Sequence, residues 1–376
     1  MAKPKIVCVV GTRPDAIKTA PVVVELRRFP EVECVLVATG QHREMLAQAL
    51  ASFDLTPDVD LDIMHHGQSL AEVTSRAISG LDPCFADLKP QLVLAQGDTT
   101  TTFCAGLASF YNQIPFGHIE AGLRTETIWN PFPEEFNRQA VGLFARHHYA
   151  PTDWAAANLR AEHISDESIF VTGNTGIDAV QQMAERRPQH WFPGETRRII
   201  LLTTHRRENW GEPQAAIARA ALRITETQPD TMLVVAMHRN PQVRETLKAV
   251  LGSHDRVALI EPPDYADFVK LMERSTLILT DSGGVQEEAP AFGKPVLVLR
   301  TNTERPEGIS AGSAMLVGTD EELIFDQATR ILSDKALYDE MATARSPYGD
   351  GRAAQRIRFL ALGLLGIDSP KEEMWT

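Results

Sequence analysis

Three acidic residues of this 376-residue chain stand where packing alone does not ask for a charge. Asp98 follows the apolar run 92–95, and Glu120 directly ends the run 116–119 and is followed by Gly122 and Arg124. Glu134 follows Pro133 at the start of a helical pattern, with Arg138 four residues on and so on the same helix face. Carboxylates in such places can carry protons to and from a bound molecule. Two of them also have a plainer reading. Asp98 can cap the next helix, and Glu134 with Arg138 can form an ordinary surface ion pair.

Other positions suit an anion. Arg13 and Lys18 follow the first apolar run, and Pro14 fits the first position of a helix, so Arg13 stands where free amides already favour negative charge. In the second half two His-Arg pairs, His205-Arg206 and His238-Arg239, end successive runs. Asp281-Ser282-Gly283-Gly284 then opens a helix, and its glycines let backbone amides come close to a ligand. Glu288, about one turn in, is placed for a pair of hydroxyls such as a ribose diol, and Arg305 follows the last well-defined run. The alternatives are a solvated charge at Arg13 and a plain glycine turn at 283–284. His65-His66 and His147-His148 lack a carboxylate or cysteine at ligand spacing, which argues against a metal site.

The elements that must position these groups read as short strands alternating with helices. Residues 6–10, 32–37, 92–95, 116–119 and 168–171 form one series; 199–203, 232–236, 257–260, 277–280 and 296–299 form another. Both faces of these runs are apolar, the mark of buried parallel strands with crossover helices. In such sheets ligands bind beyond the carboxyl ends of the strands, where the polar residues above fall. The pattern restarts after a polar, proline-containing stretch, placing a linker near residues 175–197. The expected fold is α/β, with two Rossmann-like doubly wound domains: residues 1–175, joined by a helix within 353–376 that packs back on them, and residues 176–352.

Composition narrows the classes. The net charge of −13 opposes nucleic-acid binding. The apolar stretch after residue 5 is too short for a membrane span. Four cysteines without a C-x-x-C pair fit reduced thiols in the cytoplasm. No GxGxxG, Walker or G-x-S-x-G motif is present, so a nicotinamide enzyme, a P-loop enzyme and an elbow-type hydrolase are not favoured.

The strings GTRPDAIKTAPVV, TGQHREML, QGDTTTTFCAGLA, HIEAGLRT, PFPEEFNRQ, TGNTGIDAV, THRREN, DSGGVQEEAPAFGKPVLVLR and TERPEG occur in order. Together they resemble the non-hydrolysing UDP-N-acetylglucosamine 2-epimerase family. The resemblance implies a GT-B-like fold with the active site in the cleft between domains, a homodimer, and no cofactor or required metal. It places the family's catalytic positions on Lys18, Asp98, Glu120, Glu134, Arg138 and His205. Its UDP contacts fall on Arg13, His205, Phe268, Ser282, Gly283, Gly284, Glu288 and Arg305. A second, allosteric UDP-GlcNAc site in the family uses the segment that is Gln41-His42 here, with a basic residue in the following loop. Residues 64–69 of this chain carry no arginine, which argues against activation by substrate.

The implied reaction is reversible conversion of UDP-GlcNAc to UDP-ManNAc. C2–H is not next to a carbonyl, so UDP leaves first, a 2-acetamidoglucal forms, and re-addition delivers a proton to the other face. Epimerisation of a related UDP-diacetamido uronic acid is the nearest alternative, since Trp129-Asn130-Pro131 replaces the family's commoner Tyr-Ser-Pro. A GT-B glycosyltransferase, a hydrolysing epimerase and a non-catalytic sensor are the others.

Overall fold

The computed structural model describes residues 3–40, 43–63, 65, 67–252 and 254–375. The chain divides into two compact units: Met1–Ala179 with Tyr348–Thr376, and Val180–Pro347.

In the first unit, strands β1 (Lys5–Val10), β2 (Glu33–Ala38), β3 (Val59–Asp60), β4 (Leu92–Gln96), β5 (Phe116–Ile119), β6 (His147–Ala150) and β7 (Ile169–Val171) form one parallel sheet. Their order is β3-β2-β1-β4-β5-β6-β7. In the second, β8 (Arg198–Thr203), β9 (Thr231–Ala236), β10 (Val257–Ile260), β11 (Leu277–Thr280), β12 (Val296–Val298) and β13 (Ala314–Leu316) form a parallel sheet ordered β10-β9-β8-β11-β12-β13. Both are Rossmann-like. The strand order reverses between β1 and β4 in one sheet and between β8 and β11 in the other, and the crevice at such a reversal is the usual ligand position.

The strands pack as their apolar runs require. Val7, Val9, Val35, Val37, Val93 and Ala95 face Ala77, Leu81, Phe85 and Ala105 on covering helices. Ile200, Leu202, Leu233, Val235, Leu277 and Leu279 do the same in the second unit against Ile217, Ala221 and Ile324. Each buried aliphatic side chain contributes roughly 1.5–3 kcal/mol, so these layers hold the strand ends in place.

The C-terminal helix Ala353–Leu364 packs against the first long helix, Arg13–Arg27. Asp178 accepts from the amides of Ala353 at 3.1 Å and Ala354 at 2.8 Å, capping the helix start. Arg358, only 2% exposed, pairs with Glu25 at 3.5 Å and Glu372 at 3.1 Å.

The ten strands read from the sequence are all present, with ends shifted by a residue or less. Three more, β3, β6 and β13, escaped that reading. β3 has only two residues and β13 three. β6 opens on His147-His148, which look polar but are drawn into the sheet; His148 is 1% exposed.

Burial pushes His118 on β5 down to about 3, and His147 and His148 down to about 4. A histidine kept neutral in the fold protonates more readily when unfolded. Its share of stability is therefore whole above the unfolded value and drains away as pH falls towards the folded one. Asp15 and Asp178, raised by burial to about 6 and about 7, act in the opposite sense. Comparing a His118→Gln variant with the parent isolates one histidine. Between about pH 8 and about pH 5 the variant should lose about 2 kcal/mol less stability in urea unfolding. Equal losses would mean His118 is not held neutral.

Candidate active site

The first unit gathers its polar groups at the ends of β1, β4, β5 and β7. After β1 the chain passes Gly11 and Thr12 into the helix that opens on Arg13, with Pro14 in second rather than first place. The turn is pinned by buried Asp15, which accepts from Thr12 N at 3.1 Å, Thr12 Oγ1 at 2.8 Å and Thr99 Oγ1 at 3.1 Å. Thr99 follows β4, so Asp15 ties together the two strands flanking the reversal. The same helix carries Lys18 towards β5, where it forms an ion pair with Glu120.

Glu120 sits at φ 62°, a left-handed conformation that a residue with a side chain seldom adopts. Its carboxylate, 9% exposed, accepts from Lys18 Nζ, from Gln96 Nε2 at the end of β4, and from Asn174 Nδ2 at 3.1 Å beyond β7. Next to it, His118 donates from Nε2 to the carbonyl of Gly97 at 2.7 Å. Neutral His118 has one ring proton, and a carbonyl can only accept, so the proton is on Nε2. This bond steadies the turn leading to Asp98.

Asp98 is not the helix cap. Thr99 takes that place, its hydroxyl accepting from Thr102 N, and the Asp98 carboxylate is left to receive Arg138 Nη2 at 2.6 Å. Asn137 adds a bond to the Asp98 carbonyl at 2.9 Å. The surface pair between Glu134 and Arg138 is also not formed: Arg138 turns to Asp98 and, at 3.4 Å, to buried Glu135. Glu134, first residue of the helix Glu134–Gly142, is half-buried, and no hydrogen bond or ion pair is recorded for its side chain among the described residues. The preceding loop stacks exposed Trp129 on Phe132, with centroids 6.2 Å apart.

The second unit builds a corresponding arrangement around Asp281, which is wholly buried at the end of β11. It accepts from Thr204 Oγ1 at 2.9 Å, from the amides of His205 and Arg206 at 3.0 Å, and from Asn209 Nδ2 at 3.0 Å. His205 Nδ1 lies 3.0 Å from its Oδ1. Burial alone would raise the Asp281 carboxyl, but the His205 ring and the converging amides outweigh it and hold it below the usual range. An ionised Asp281 fixes the His205 tautomer, with Nδ1 as donor and Nε2 turned away from the aspartate.

Ser282 precedes the short helix Gly283–Glu288. Gly283 lies beneath the guanidinium of Arg305: a Cβ there would come within 3.0 Å of Arg305 Cζ. Arg305 is held by Glu287 at 2.8 Å and Glu304 at 2.9 Å. Glu288 ends the helix and accepts from Tyr265 Oη at 3.3 Å. Phe268 lies three residues along the helix from Tyr265, half-buried.

Of the residues singled out in the sequence, Lys18 with Glu120 and Asp98 with Arg138 meet in the first unit. Arg13 lies at the same strand ends. His205, Ser282, Gly283 and Gly284 follow the two central strands of the second. Gln41 and His42 lie outside the described residues. Gln96, Asn174 and Asp281 were missed as partners. A Gln or Asp closing a strand was the available signal, since that is where the other polar groups stand.

A family model described as UDP-N-acetylglucosamine 2-epimerase matches residues 24–360. The chain is 51% identical over 360 residues to the UDP-N-acetylglucosamine 2-epimerase of Bacillus subtilis (strain 168), covering 95% of this chain and 94% of that one. Among solved structures it is similar to UDP-GlcNAc 2-epimerase from Neisseria meningitidis bound to UDP-GlcNAc, with TM-score 0.87, 44% identity, and coverage of 96% of this chain and 100% of that one. A glycotransferase of kitacinnamycin, 12% identical with TM-score 0.67 over 97% of this chain and 100% of that one, shares the fold alone.

The Asp281–His205 contact invites a direct check. Asp281→Asn turns one accepting oxygen into a donor facing other donors, and should cost about 2–4 kcal/mol in urea unfolding. Ring-nitrogen NMR shifts of His205 should then report a mixture of tautomers; a single unchanged tautomer would refute the assignment.

Proposed function

The chain belongs to the UDP-N-acetylglucosamine 2-epimerase family, and from that premise we propose that it interconverts UDP-GlcNAc and UDP-ManNAc by elimination and re-addition of UDP. The reading is carried by one observation: Asp98 and Glu120, on neighbouring strand ends, are each paired with a cation from a helix, Arg138 and Lys18. Paired in this way, carboxylates stay placed where a proton is to be moved.

Arg13, His205 and Arg305 offset the charge that grows on UDP as its bond to C1 breaks. The amides of Gly283 and Gly284 lie where a phosphate oxygen can be received. Glu288 takes the ribose hydroxyls, and Phe268 packs on uracil. Loss of UDP makes the sugar ring oxocarbenium-like and acidifies C2–H. Asp98, Glu120 and Glu134 supply the base that takes this proton and the acid that returns one to the opposite face. Lys18 and Arg138 keep two of these carboxylates oriented. No cofactor takes part in this scheme.

We also take the enzyme to be a homodimer. The support is an exposed apolar row of Phe110, Tyr111, Phe136 and Leu143 on and just beyond the helices Thr100–Tyr111 and Glu134–Gly142. Surface apolar groups clustered in this way mark contact faces. Among the described residues no helix is long and apolar enough to cross a membrane. We assign the enzyme to the cytoplasm on its free thiols, Cys8, Cys34, Cys84 and Cys104.

Purified protein incubated with UDP-GlcNAc in deuterated water should yield UDP-ManNAc labelled at C2 by NMR. An unlabelled product would rule out proton exchange, and no product would rule out the activity. Asp98→Asn and Glu120→Gln should each lower kcat by roughly a hundredfold or more. UDP affinity should hold, because neither carboxylate is assigned to the nucleotide. Near-normal turnover in both variants would remove the acid–base assignment.

A further inference from the structure

The segment Thr172-Gly173-Asn174-Thr175-Gly176-Ile177-Asp178 has no part in the chemistry above, yet it touches both Glu120 and the returning C-terminal chain. Asn174 donates from Nδ2 to Glu120 Oε1 at 3.1 Å. Its own Oδ1 receives Gly176 N at 2.8 Å, which fixes which face of the amide points at Glu120. Its backbone N–H donates to Tyr348 O at 2.7 Å. Tyr348 is the residue at which the chain re-enters the first unit.

The crossing is tight. Gly173, at φ 84°, would bring a Cβ within 3.4 Å of Gly349 Cα, and Gly349, at φ 145°, would bring one within 3.3 Å of Asn174 N. Four residues beyond Asn174, Asp178 caps the helix Ala353–Leu364. One short stretch thus holds the returning chain by its backbone and Asp178, and the Glu120 carboxylate by one side-chain amide.

We propose that Asn174 is a positioning residue through which the docked C-terminal segment fixes the Glu120 carboxylate for proton transfer at C2. This rests on the epimerase reading above. Lys18 and Gln96 supply the other two recorded donors to Glu120. Lys18 sits on a long, rotatable stem and cannot define an orientation alone. A short amide bonded on both sides can. Asn174 donates to a carboxylate assigned to the chemical step, so its loss acts on kcat rather than on substrate binding.

Two variants test this. Asn174→Leu removes the donor at similar size. Asn174→Asp keeps an acceptor for Gly176 N but turns a negative oxygen towards Glu120. With the fold checked by thermal unfolding, each should lower kcat by roughly tenfold or more, the aspartate further, while KM and UDP affinity stay within about threefold. A folded variant of either kind with parental kcat overturns the proposal, as does a loss confined to KM.

A second readout needs no turnover. In Glu120→Ala the Asn174 amide loses the carboxylate it donates to, so amide hydrogen exchange at Asn174 and across 348–354 should speed up. Unchanged exchange overturns the coupling. Failure of the parent enzyme to convert UDP-GlcNAc would instead count against the activity, and the exchange experiment would still decide the coupling.

Discussion

A carboxylate nearly withdrawn from water keeps its charge only if enough donors turn towards it, and each unit of this protein is arranged around that requirement. Leaving such an anion unpaired costs several kcal/mol, so the donors cannot be optional. In the first unit the anion is Glu120, and in the second it is Asp281. Each stands at the end of a strand near the reversal of its sheet and collects groups from neighbouring strand ends. The polar residues at those ends are thereby held to one geometry before any ligand arrives. Preorganisation of this kind lets an active site stabilise developing charge without rearranging.

The two anions hold their surroundings differently. Asp281 is sealed in by four backbone or short side-chain donors and the His205 ring, and its effect is passed outward through the orientation of that ring. Glu120 is held by three side chains from three elements and stays partly open. The first buries its anion wholly; the second leaves an edge of the carboxylate within reach of solvent. The left-handed backbone at Glu120 fits this picture, because such strain persists where the surroundings over-determine it.

Much of this is legible in the sequence. Long apolar runs such as 6–10 and 92–95 announce buried parallel strands, because burial on both faces leaves a local trace in the residue types. The polar residues that close those runs could be picked out for the same reason. What could not be read was which strand lies beside which. Asn174 is 54 residues from Glu120, and Asp281 is 76 from His205. No local pattern ties such pairs together. Asp98 and Arg138 pair with each other for a related reason: each had a satisfactory local partner in principle, and a distant one prevailed. β6 was hidden by its two histidines, whose ring nitrogens look like surface groups until the sheet is assembled.

The first unit is discontinuous in the chain, its sheet coming from one end of the sequence and the helix Ala353–Leu364 from the other. The second unit, Val180–Pro347, is one unbroken stretch, whereas the first is closed only when Arg358 meets Glu25 across that whole insertion. The second unit therefore takes nothing from outside its own stretch to close its sheet, while the first depends on chain that follows the second. A chain lacking that helix would keep the strands of both sheets and yet leave the buried Asp178 carboxylate without the two amides that satisfy it.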